Sequence, residues 1–283
     1  MPVRELRDGA AMAYADQGAG PAILLVHGWA ANGDFFADLA KCLSAHHRVL
    51  SLTLRAHPGS HAGALPLTIE TLADDIVDFA DALGLKSFSA LGWSMGAMAL
   101  WAAAPVLGSR LTGLVVEDMG PCLTNDPTWP HGVSGYSAAD IDITLDEIGA
   151  DWPAYVARFA PRMFAPAARD ARPELIAWAT SEMQKAEGAA MAAYWRSMVE
   201  QDFRAAFARV PQRMLVIRGG ESQVYPDGAT AHIAQAAPNA ERVVIEGAGH
   251  VPHLEAPDQF FTHVEAFVRG ERRSELRSGG AVP

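Results

Sequence analysis

The sequence predicts an α/β protein with a mostly parallel β-sheet, and three observations support this fold class. Short apolar runs typical of buried strands alternate with amphipathic helical runs over residues 22–118. A Gly-x-Ser-x-Gly pentapeptide, residues 92–96, stands between one such strand and one such helix. Residues 121–205 then contain helical patterns only, before strand character returns. Because βαβ units are right-handed, the strands of residues 22–118 are expected to lie parallel in one sheet.

The first half of the chain supplies most of the alternation. Residues 3–7 and 11–17 predict a short antiparallel entry with a turn at Asp8 and Gly9. Residues 68–83 give the clearest helix, with Thr68 as N-cap. We expect the aspartates of this helix to form a solvated face without a function; they are Asp74, Asp75, Asp78 and Asp81. The other predicted elements are strands at 22–26, 48–54, 86–91 and 111–117, and helices at about 34–45 and 95–107.

The second half of the chain begins with an inserted segment. Residues 121–205 are rich in Trp, Tyr and Met, and a helical insertion after a parallel strand lies over the carboxyl edge of the sheet, where ligands bind. Most of these large side chains are expected to be core, and a few to line a pocket. The remaining predicted elements are strands at 213–218 and 242–246, a helix at about 227–237 and a closing helix to about 269. The predicted division is a core of residues 1–120 and 206–270, a helical cap of residues 121–205 and a disordered tail of residues 271–283.

Composition excludes several classes of partner. The chain has 283 residues and a formal net charge of −11 without a basic block, so nucleic acid and anionic membranes are poor candidates. No leader and no apolar run of ~18 residues is visible, which favours a cytoplasmic protein. Cys42 and Cys122 lack metal-type spacing and are interpreted as reduced, packing thiols. Nothing in the sequence indicates a metal or an organic cofactor, and it leaves the oligomeric state open.

The pentapeptide of residues 92–96 predicts a strand that turns sharply into a helix with Ser94 at its apex. Such a turn brings strand and helix too close for side chains at positions 92 and 96, where glycine removes the Cβ atoms. The serine hydroxyl then projects above the sheet at the positive end of the helix, beside the amide of Met95. The alternative is that Ser94 only caps the helix.

Two further turns follow predicted strands. In residues 27–29, His-Gly-Trp, Gly28 allows a bend that aims the amide of Trp29 outward. A Gly-x-Gly-His turn after the last strand carries His250, which can take a proton from a serine near pH 7. The alternative for His250 is a hydrogen-bonded histidine without a catalytic role. We interpret the nearby His253 as structural.

These motifs resemble those of the α/β-hydrolase family, over nearly the whole chain to about residue 270. The matching motifs are residues 27–29, residues 92–96 and residues 249–257, which read Gly-His-x-Pro-x-x-Glu-x-Pro. The resemblance implies an eight-stranded, mostly parallel sheet flanked by helices. It also implies a helical cap at residues 121–205, Ser94 as nucleophile, His250 as base, and the amides of Trp29 and Met95 as an oxyanion hole.

The sequence departs from the family at the third catalytic residue. The family usually places an acid in the loop after the next-to-last strand, where this chain has Ser222 and Gln223. Some α/β-hydrolases carry the acid at the end of the strand after the serine turn, and the Asp-x-x-Pro ending here resembles theirs. Asp118 is favoured over Glu117 because it stands past the strand, where side chains turn upward. Both could instead be solvated; the fallback acids are Glu221 and Asp227 in the loop of residues 219–227.

A second departure concerns residues 53–60, where relatives usually have Asp-x-Arg-Gly-x-Gly-x-Ser. Thr53, Ala56 and Pro58 replace three of the expected residues. We therefore expect an unusual loop at that edge of the pocket.

The favoured function is a serine hydrolase that cleaves carboxylic esters of small, fairly apolar substrates through an acyl-enzyme. A lactonase, an acyltransferase with the same triad and a ligand-binding protein without turnover, as some plant hormone receptors are, remain alternatives. The missing acid at the usual position favours the binding protein, and the intact serine and histidine turns oppose it. Dehalogenase and epoxide hydrolase activities are disfavoured, because relatives with these activities need an aspartate where Ser94 stands.

Overall fold

The computed structural model of the chain describes residues 1–271 and has one eight-stranded sheet. The strand order is β1-β2-β4-β3-β5-β6-β7-β8. The strands β1 and β2 run antiparallel to their neighbours, and all other pairs are parallel. This confirms the predicted fold class. The strands are β1 Val3–Glu5, β2 Ala11–Gln17, β3 Ala22–Val26, β4 Arg48–Leu52, β5 Phe88–Trp93, β6 Leu111–Glu117, β7 Arg213–Gly219 and β8 Ala240–Ile245.

The central strands β3, β5, β6 and β7 are buried because helices cover both faces, as in other parallel sheets. Their register aligns apolar residues in a continuous row, which consists of Leu25, Leu91, Val115 and Leu215. The carboxyl ends of these strands meet at one edge of the sheet. The turns that follow β3, β5, β6 and β8 there bring the candidate site residues together.

Eleven α-helices accompany the sheet in the described residues. They are α1 Ala37–Leu43, α2 Ile69–Ala82, α3 Met95–Leu107, α4 Ile141–Ala150, α5 Trp152–Phe159, α6 Pro166–Ala171, α7 Pro173–Gln184, α8 Gly188–Val199, α9 Asp227–Ala236, α10 Pro252–Glu255 and α11 Pro257–Val268. Thr68 caps α2 as predicted, since its side chain accepts a hydrogen bond from the amide of Thr71. The predicted helix at 34–45 is a 3₁₀ turn, Gly33–Phe36, followed by α1.

The five helices α4–α8 lie between β6 and β7, in a segment without a β-strand. None of the helices in residues 1–271 combines the length and apolar composition that a bilayer-crossing helix needs. The expectation that Cys42 is packed was wrong, because Cys42 is exposed at the surface of α1, whereas Cys122 is buried. Both cysteines are free. The predicted tail lies outside the described residues from residue 272 onward.

The solvated face predicted for α2 was wrong at Asp75, which is fully buried. Its carboxylate accepts two hydrogen bonds, at 2.7 and 2.6 Å, from the guanidinium of the equally buried Arg55. Asp8, from the β1–β2 turn, accepts two more from the same guanidinium at 2.5 and 3.0 Å. A buried arginine requires such partners. This ion cluster anchors the unusual loop after β4, in which Ala56 adopts a left-handed φ of 59°.

Candidate active site

Ser94 stands at the turn from β5 into α3, as the pentapeptide predicts. Its backbone is strained, with φ 51° and ψ −123°. A Cβ atom at Gly92 would lie 2.4 Å from the nitrogen of Ala97, and one at Gly96 would lie 2.1 Å from the carbonyl oxygen of Val26. Only glycine fits at either position, so the close approach of β3, β5 and α3 fixes the turn. The side chain of Ser94 makes no capping hydrogen bond to α3, which leaves the cap interpretation without support.

Asp118 directly follows β6 and contacts His250, which follows β8. The Nδ1 atom of His250 lies 2.7 Å from Oδ2 of Asp118, and both side chains are buried. The hydroxyl of Ser222 donates to the same carboxylate oxygen at 2.6 Å, and the amide of Gly219 donates to the other oxygen at 3.2 Å. Asp118 itself has a left-handed φ of 41°. Because β6 and β7 are neighbours, an acid at the end of β6 reaches the loop after β7.

The other candidate acids do not contact His250 in the described residues. Glu117 pairs with His253 at 2.6 Å, from its Oε1 to the Nδ1 of the imidazole. Asp227 is exposed and pairs with Arg242. Glu221 is exposed to solvent. The structure therefore brings together Ser94, Asp118 and His250 at one edge of the sheet and leaves the fallback acids outside.

Hydrogen bonds hold the loop that carries His250 to the segments on both sides of it. The amide of His250 donates to the carbonyl of Met163 at 2.6 Å, and the indole Nε1 of Trp93 donates to the carbonyl of His250 at 2.9 Å. Glu255 accepts from the amides of Gly249 and Ala165, at 2.6 and 2.7 Å. Burial raises the pKa of Glu255, although these hydrogen bonds oppose the rise.

The anchoring contacts of Glu255 and the hydrogen bond from Ser222 to Asp118 are not among the features predicted from the sequence. Glu255 carried a signal, because it belongs to the motif of residues 249–257. Ser222 carried no such signal, because the sequence shows only that this residue is not an acid. Its partner Asp118 is more than a hundred residues away, at the end of a strand whose neighbour in the sheet had to be known first.

Met95 and Trp29 lie beside Ser94. Met95 is the first residue of α3, so its amide has no carbonyl partner within the helix. Trp29 follows β3, and its indole Nε1 donates to the carbonyl of Met191 in α8 at 2.9 Å. The turn before it is held by His27, whose Nε2 accepts from the amide of Leu54 at 2.9 Å. Burial lowers the pKa of His27 well below its usual value, with a smaller contribution from His57.

Ser94 and His250 line the same narrow cavity under the inserted helices, with a volume of about 20 Å³. Such a space holds little more than one water molecule. Among the Trp, Tyr and Met side chains of residues 121–205, three line this cavity: Met163, Trp195 and Met198. Trp152 and Tyr155 instead pack edge-on against the indole of Trp29. Within residues 1–271 no cluster of three metal-ligating side chains occurs.

An eight-stranded sheet with a serine on a strained strand-to-helix turn defines the class of α/β hydrolases. Residues 21–257 match the family model for the alpha/beta hydrolase fold, and the chain belongs to this family.

Curated relatives are similar over nearly the whole chain. The pimeloyl-[acyl-carrier protein] methyl ester esterase of Nitrosomonas europaea is 25% identical over 252 residues, which cover 88% of this chain and 96% of that protein. The esterase of the same name from Xanthomonas campestris pv. campestris is 28% identical over 254 residues, 89% of this chain and 96% of that protein.

Among solved structures, an esterase from Exiguobacterium antarcticum superposes with a TM-score of 0.87 at 21% identity and covers 94% of this chain and 98% of its own. The enol-lactonase of Burkholderia xenovorans superposes with a TM-score of 0.85 at 22% identity, covering 95% of this chain and all of its own. At these identities the two structures support the fold.

Proposed function

We propose that the chain is a carboxylic ester hydrolase that acts through an acyl-enzyme on Ser94. One observation carries the proposal: a serine on a strained turn and a histidine paired to a buried carboxylate at 2.7 Å line the same cavity. The curated relatives are ester-cleaving enzymes by name, which supports the same reaction class.

In the proposed acylation step, Nε2 of His250 removes the hydroxyl proton of Ser94 while the serine oxygen attacks the ester carbonyl. The resulting imidazolium then gives its proton to the departing alkoxide, and the alcohol leaves. In deacylation, His250 takes a proton from water, the hydroxide attacks the acyl-enzyme and the acid is released as the serine oxygen recovers the proton. Both steps pass through a tetrahedral intermediate with a negatively charged oxygen.

The amides of Trp29 and Met95 are the proposed donors to that oxygen. Met95 is suited because the start of α3 leaves its amide without an intrahelical partner and contributes the positive end of the helix dipole. Trp29 is suited because it follows β3, the strand next to β5. Loss of one such donor typically raises the barrier by about 3 kcal/mol.

Asp118 is the proposed orienting acid, delivered from β6 rather than from the loop after β7. Its carboxylate would hold Nδ1 of His250 protonated, which leaves Nε2 to act as the base. Ser222, at the usual place of the acid, and Gly219, the last residue of β7, supply hydrogen bonds to that carboxylate. The usual loop thus supports the acid.

Residues 121–205 are the proposed cap. Six of its residues line the cavity beside Ser94: Leu123, Val133, Phe159, Met163, Trp195 and Met198. Their apolar surfaces favour an ester of small, fairly apolar groups. The curated relatives are by name esterases of a pimeloyl-[acyl-carrier protein] methyl ester, which supports an ester with a small alcohol group.

The test is covalent labelling and turnover. Purified protein is expected to take up one equivalent of an alkyl fluorophosphonate at Ser94, located by peptide mass spectrometry, and to hydrolyse p-nitrophenyl acetate. Ser94→Ala is expected to lose both. Ser89→Ala, on the same strand, is the matched control and should keep both. An unlabelled wild type, or equal turnover in Ser94→Ala, would overturn the proposal in favour of a binding protein.

A further inference from the structure

A second, larger cavity adjoins the one that holds Ser94. Its volume is about 400 Å³, within the range of small-molecule sites, whereas the inner cavity has about 20 Å³. The two cavities share four lining residues: Val133, Phe159, Trp195 and Val224. These four residues lie where the two spaces adjoin, and we call them the constriction.

The constriction is held by hydrogen bonds. The indole Nε1 of Trp195 donates to the hydroxyl of Tyr136 at 2.7 Å, and both side chains are buried. The amide of Ser134 donates to the carbonyl of Val224 at 2.9 Å, and the amide of Tyr136 donates to the carbonyl of Val133 at 2.9 Å. These hydrogen bonds therefore connect the loop of residues 133–136 to α8 and to Val224 in the loop after β7.

The outer cavity has much more room for a substrate than the inner cavity. The inner cavity has room for the reacting group alone, so the rest of any ester must extend elsewhere. We infer that the outer cavity is the substrate subsite, and that the chain attached to the ester passes through the constriction into it. This inference rests on the proposed ester hydrolysis at Ser94 and adds the substrate class: a linear ester with an extended apolar chain.

The lining of the outer cavity changes from apolar to polar along this path. Phe159 of the constriction stacks on Tyr155 of the outer cavity, at a centroid distance of 6.2 Å. The rim is mostly polar and charged; it consists of Asp140, Ile143, Thr144, Glu147, Arg158 and Arg162. Within it, Arg158 pairs with Glu147 at 3.0 Å. A chain that is apolar near the ester and carries a polar group at its far end matches this order.

Another open cavity provides a comparison. It is lined by residues 56–62, Leu67, residues 185–187, Ala189 and Ala190, and its volume is about 590 Å³. It shares no lining residue with the cavity of Ser94, although it is the larger of the two outer spaces. Size alone therefore does not identify the substrate path, whereas shared walls do.

The experiment narrows each outer cavity with one tryptophan. Thr144→Trp narrows the proposed subsite, and Ala189→Trp, the matched control, narrows the other cavity. For each variant, kcat/KM is measured with p-nitrophenyl acetate, p-nitrophenyl octanoate and octyl acetate. The two long esters place the chain on the acyl side and on the alkoxy side, respectively. Thermal unfolding by circular dichroism checks the fold, and Ile143→Trp serves as a second variant on the same rim.

In Thr144→Trp, the ratio of kcat/KM for at least one long ester to that for the acetate is expected to fall at least about tenfold, as when a pocket loses room for methylenes. The ester affected shows which side of the substrate occupies the subsite. In Ala189→Trp the ratio should equal that of the wild type. The p-nitrophenyl ester of 8-hydroxyoctanoate should be cleaved by the wild type at least as well as the octanoate. Unchanged ratios in both rim variants, or a fall in the control instead, would overturn the inference.

A binding measurement separates this inference from the reaction itself. Ser94→Ala cannot form an acyl-enzyme, so isothermal titration of this variant with ethyl octanoate reports binding without turnover. The affinity should fall at least about tenfold when Thr144→Trp is added and stay constant when Ala189→Trp is added. If the wild type cleaves p-nitrophenyl acetate but the affinities do not change in this way, the proposed function holds and the subsite is refuted. If the wild type has no turnover but the affinities change as expected, the subsite holds and the proposed function is refuted.

Discussion

Two histidine–carboxylate pairs lie side by side in the described residues, and one of them faces the cavity of Ser94. Asp118 and Glu117 are consecutive at the end of β6, and their partners His250 and His253 are three residues apart after β8. The distances from Nδ1 to carboxylate oxygen are 2.7 and 2.6 Å, and all four side chains are buried. By composition, distance and burial, the two pairs are nearly the same.

The surroundings of the second imidazole differ from those of the first. The ring of His250 lies beside the cavity of Ser94. The ring of His253 is enclosed by aromatic rings, with centroids 4.9 Å from Phe36 and 5.3 Å from Trp93. Within the described residues, Nε2 of His253 has no hydrogen-bond partner. A histidine–carboxylate pair becomes a candidate base only where its second nitrogen reaches a nucleophile, which short distances alone do not provide.

Replacement of Asp118 by asparagine should give the largest effect. The asparagine would keep the shape of the side chain but could present its amide group to Nδ1 of His250, which favours the wrong tautomer. We expect Asp118→Asn to keep the fold and to lower kcat at least ~100-fold, against the ~10⁴ typical when a triad acid is lost. The measurement is steady-state hydrolysis of p-nitrophenyl acetate.

The control for this prediction is Glu117→Gln, the same change in the neighbouring pair, which should keep kcat within about threefold. Nearly full activity in Asp118→Asn, together with inactive Glu221→Gln or Asp227→Asn, would show that the loop after β7 supplies the acid after all.

Two further buried histidines pack against each other without a carboxylate partner in the described residues. Their protonation is expected to affect stability, which extends the comparison to pH. The rings of His27 and His57 meet at 4.8 Å, and His57 also stacks on Tyr194 at 5.4 Å. Burial lowers the pKa of His57 from 6.5 to about 4. Between these values the unfolded chain binds the extra proton, so the contribution of neutral His57 to the free energy of unfolding is complete above pH 6.5 and is lost as the pH drops towards 4. The loss attributable to His57 is about 3 kcal/mol.

This loss is measured by urea unfolding of the wild type and of His57→Phe between pH 4.5 and 7. The variant should show a shallower decrease of stability towards acid, because it lacks this titrating ring. Parallel curves for the two proteins would mean that His57 is already protonated in the folded state or does not contribute.

Much of the fold could be predicted because local pattern determines it. Buried parallel strands are continuous apolar runs, and α2 has an N-cap and an apolar stripe, so their boundaries were found within a few residues. Ser94 and His250 could be located because short glycine motifs encode their turns. Asp118 could be chosen over Glu117 because Asp118 follows the end of β6.

What the sequence did not reveal depends on contacts between distant segments. Asp75 was assigned to the solvated face of α2 because helical periodicity says nothing about the guanidinium of Arg55, which lies on another element. The partner of Glu117 could not be foreseen for the same reason. The pocket-lining members of the insertion stayed unidentified because each of them also fits a core position, and only the arrangement of α4–α8 over the sheet separates the two groups.

The pair of Glu117 and His253 should act on stability rather than on turnover. In His253→Phe the aromatic enclosure still holds a ring, but Oε1 of Glu117 keeps only the amide of residue 253, 3.0 Å away in the wild type. A buried polar group that loses its partner costs about 1–3 kcal/mol, so the free energy of unfolding should fall by that amount. Urea unfolding measures it. The value of kcat should stay within about threefold of the wild type, and a loss near that of Asp118→Asn would give this pair a role in the reaction.

The smallest expected effect concerns Ser222, which contacts the first pair only. Its hydroxyl donates to Oδ2 of Asp118 at 2.6 Å, the same oxygen that faces Nδ1 of His250. Ser222→Ala leaves the amide of Gly219, at the end of β7, as a donor to the carboxylate. The loss of one of several hydrogen bonds is worth about 1 kcal/mol, so kcat/KM should fall about fivefold.

Ser222→Thr is the rescue variant, because it restores the hydroxyl. It should recover most of the activity that Ser222→Ala loses, whereas a purely structural loss would leave both variants equally impaired. Thermal unfolding of both variants separates the two cases. If Ser222→Ala is as active as the wild type, Asp118 is held in place by Gly219 and His250 without the serine, and the loop after β7 contributes a backbone amide alone.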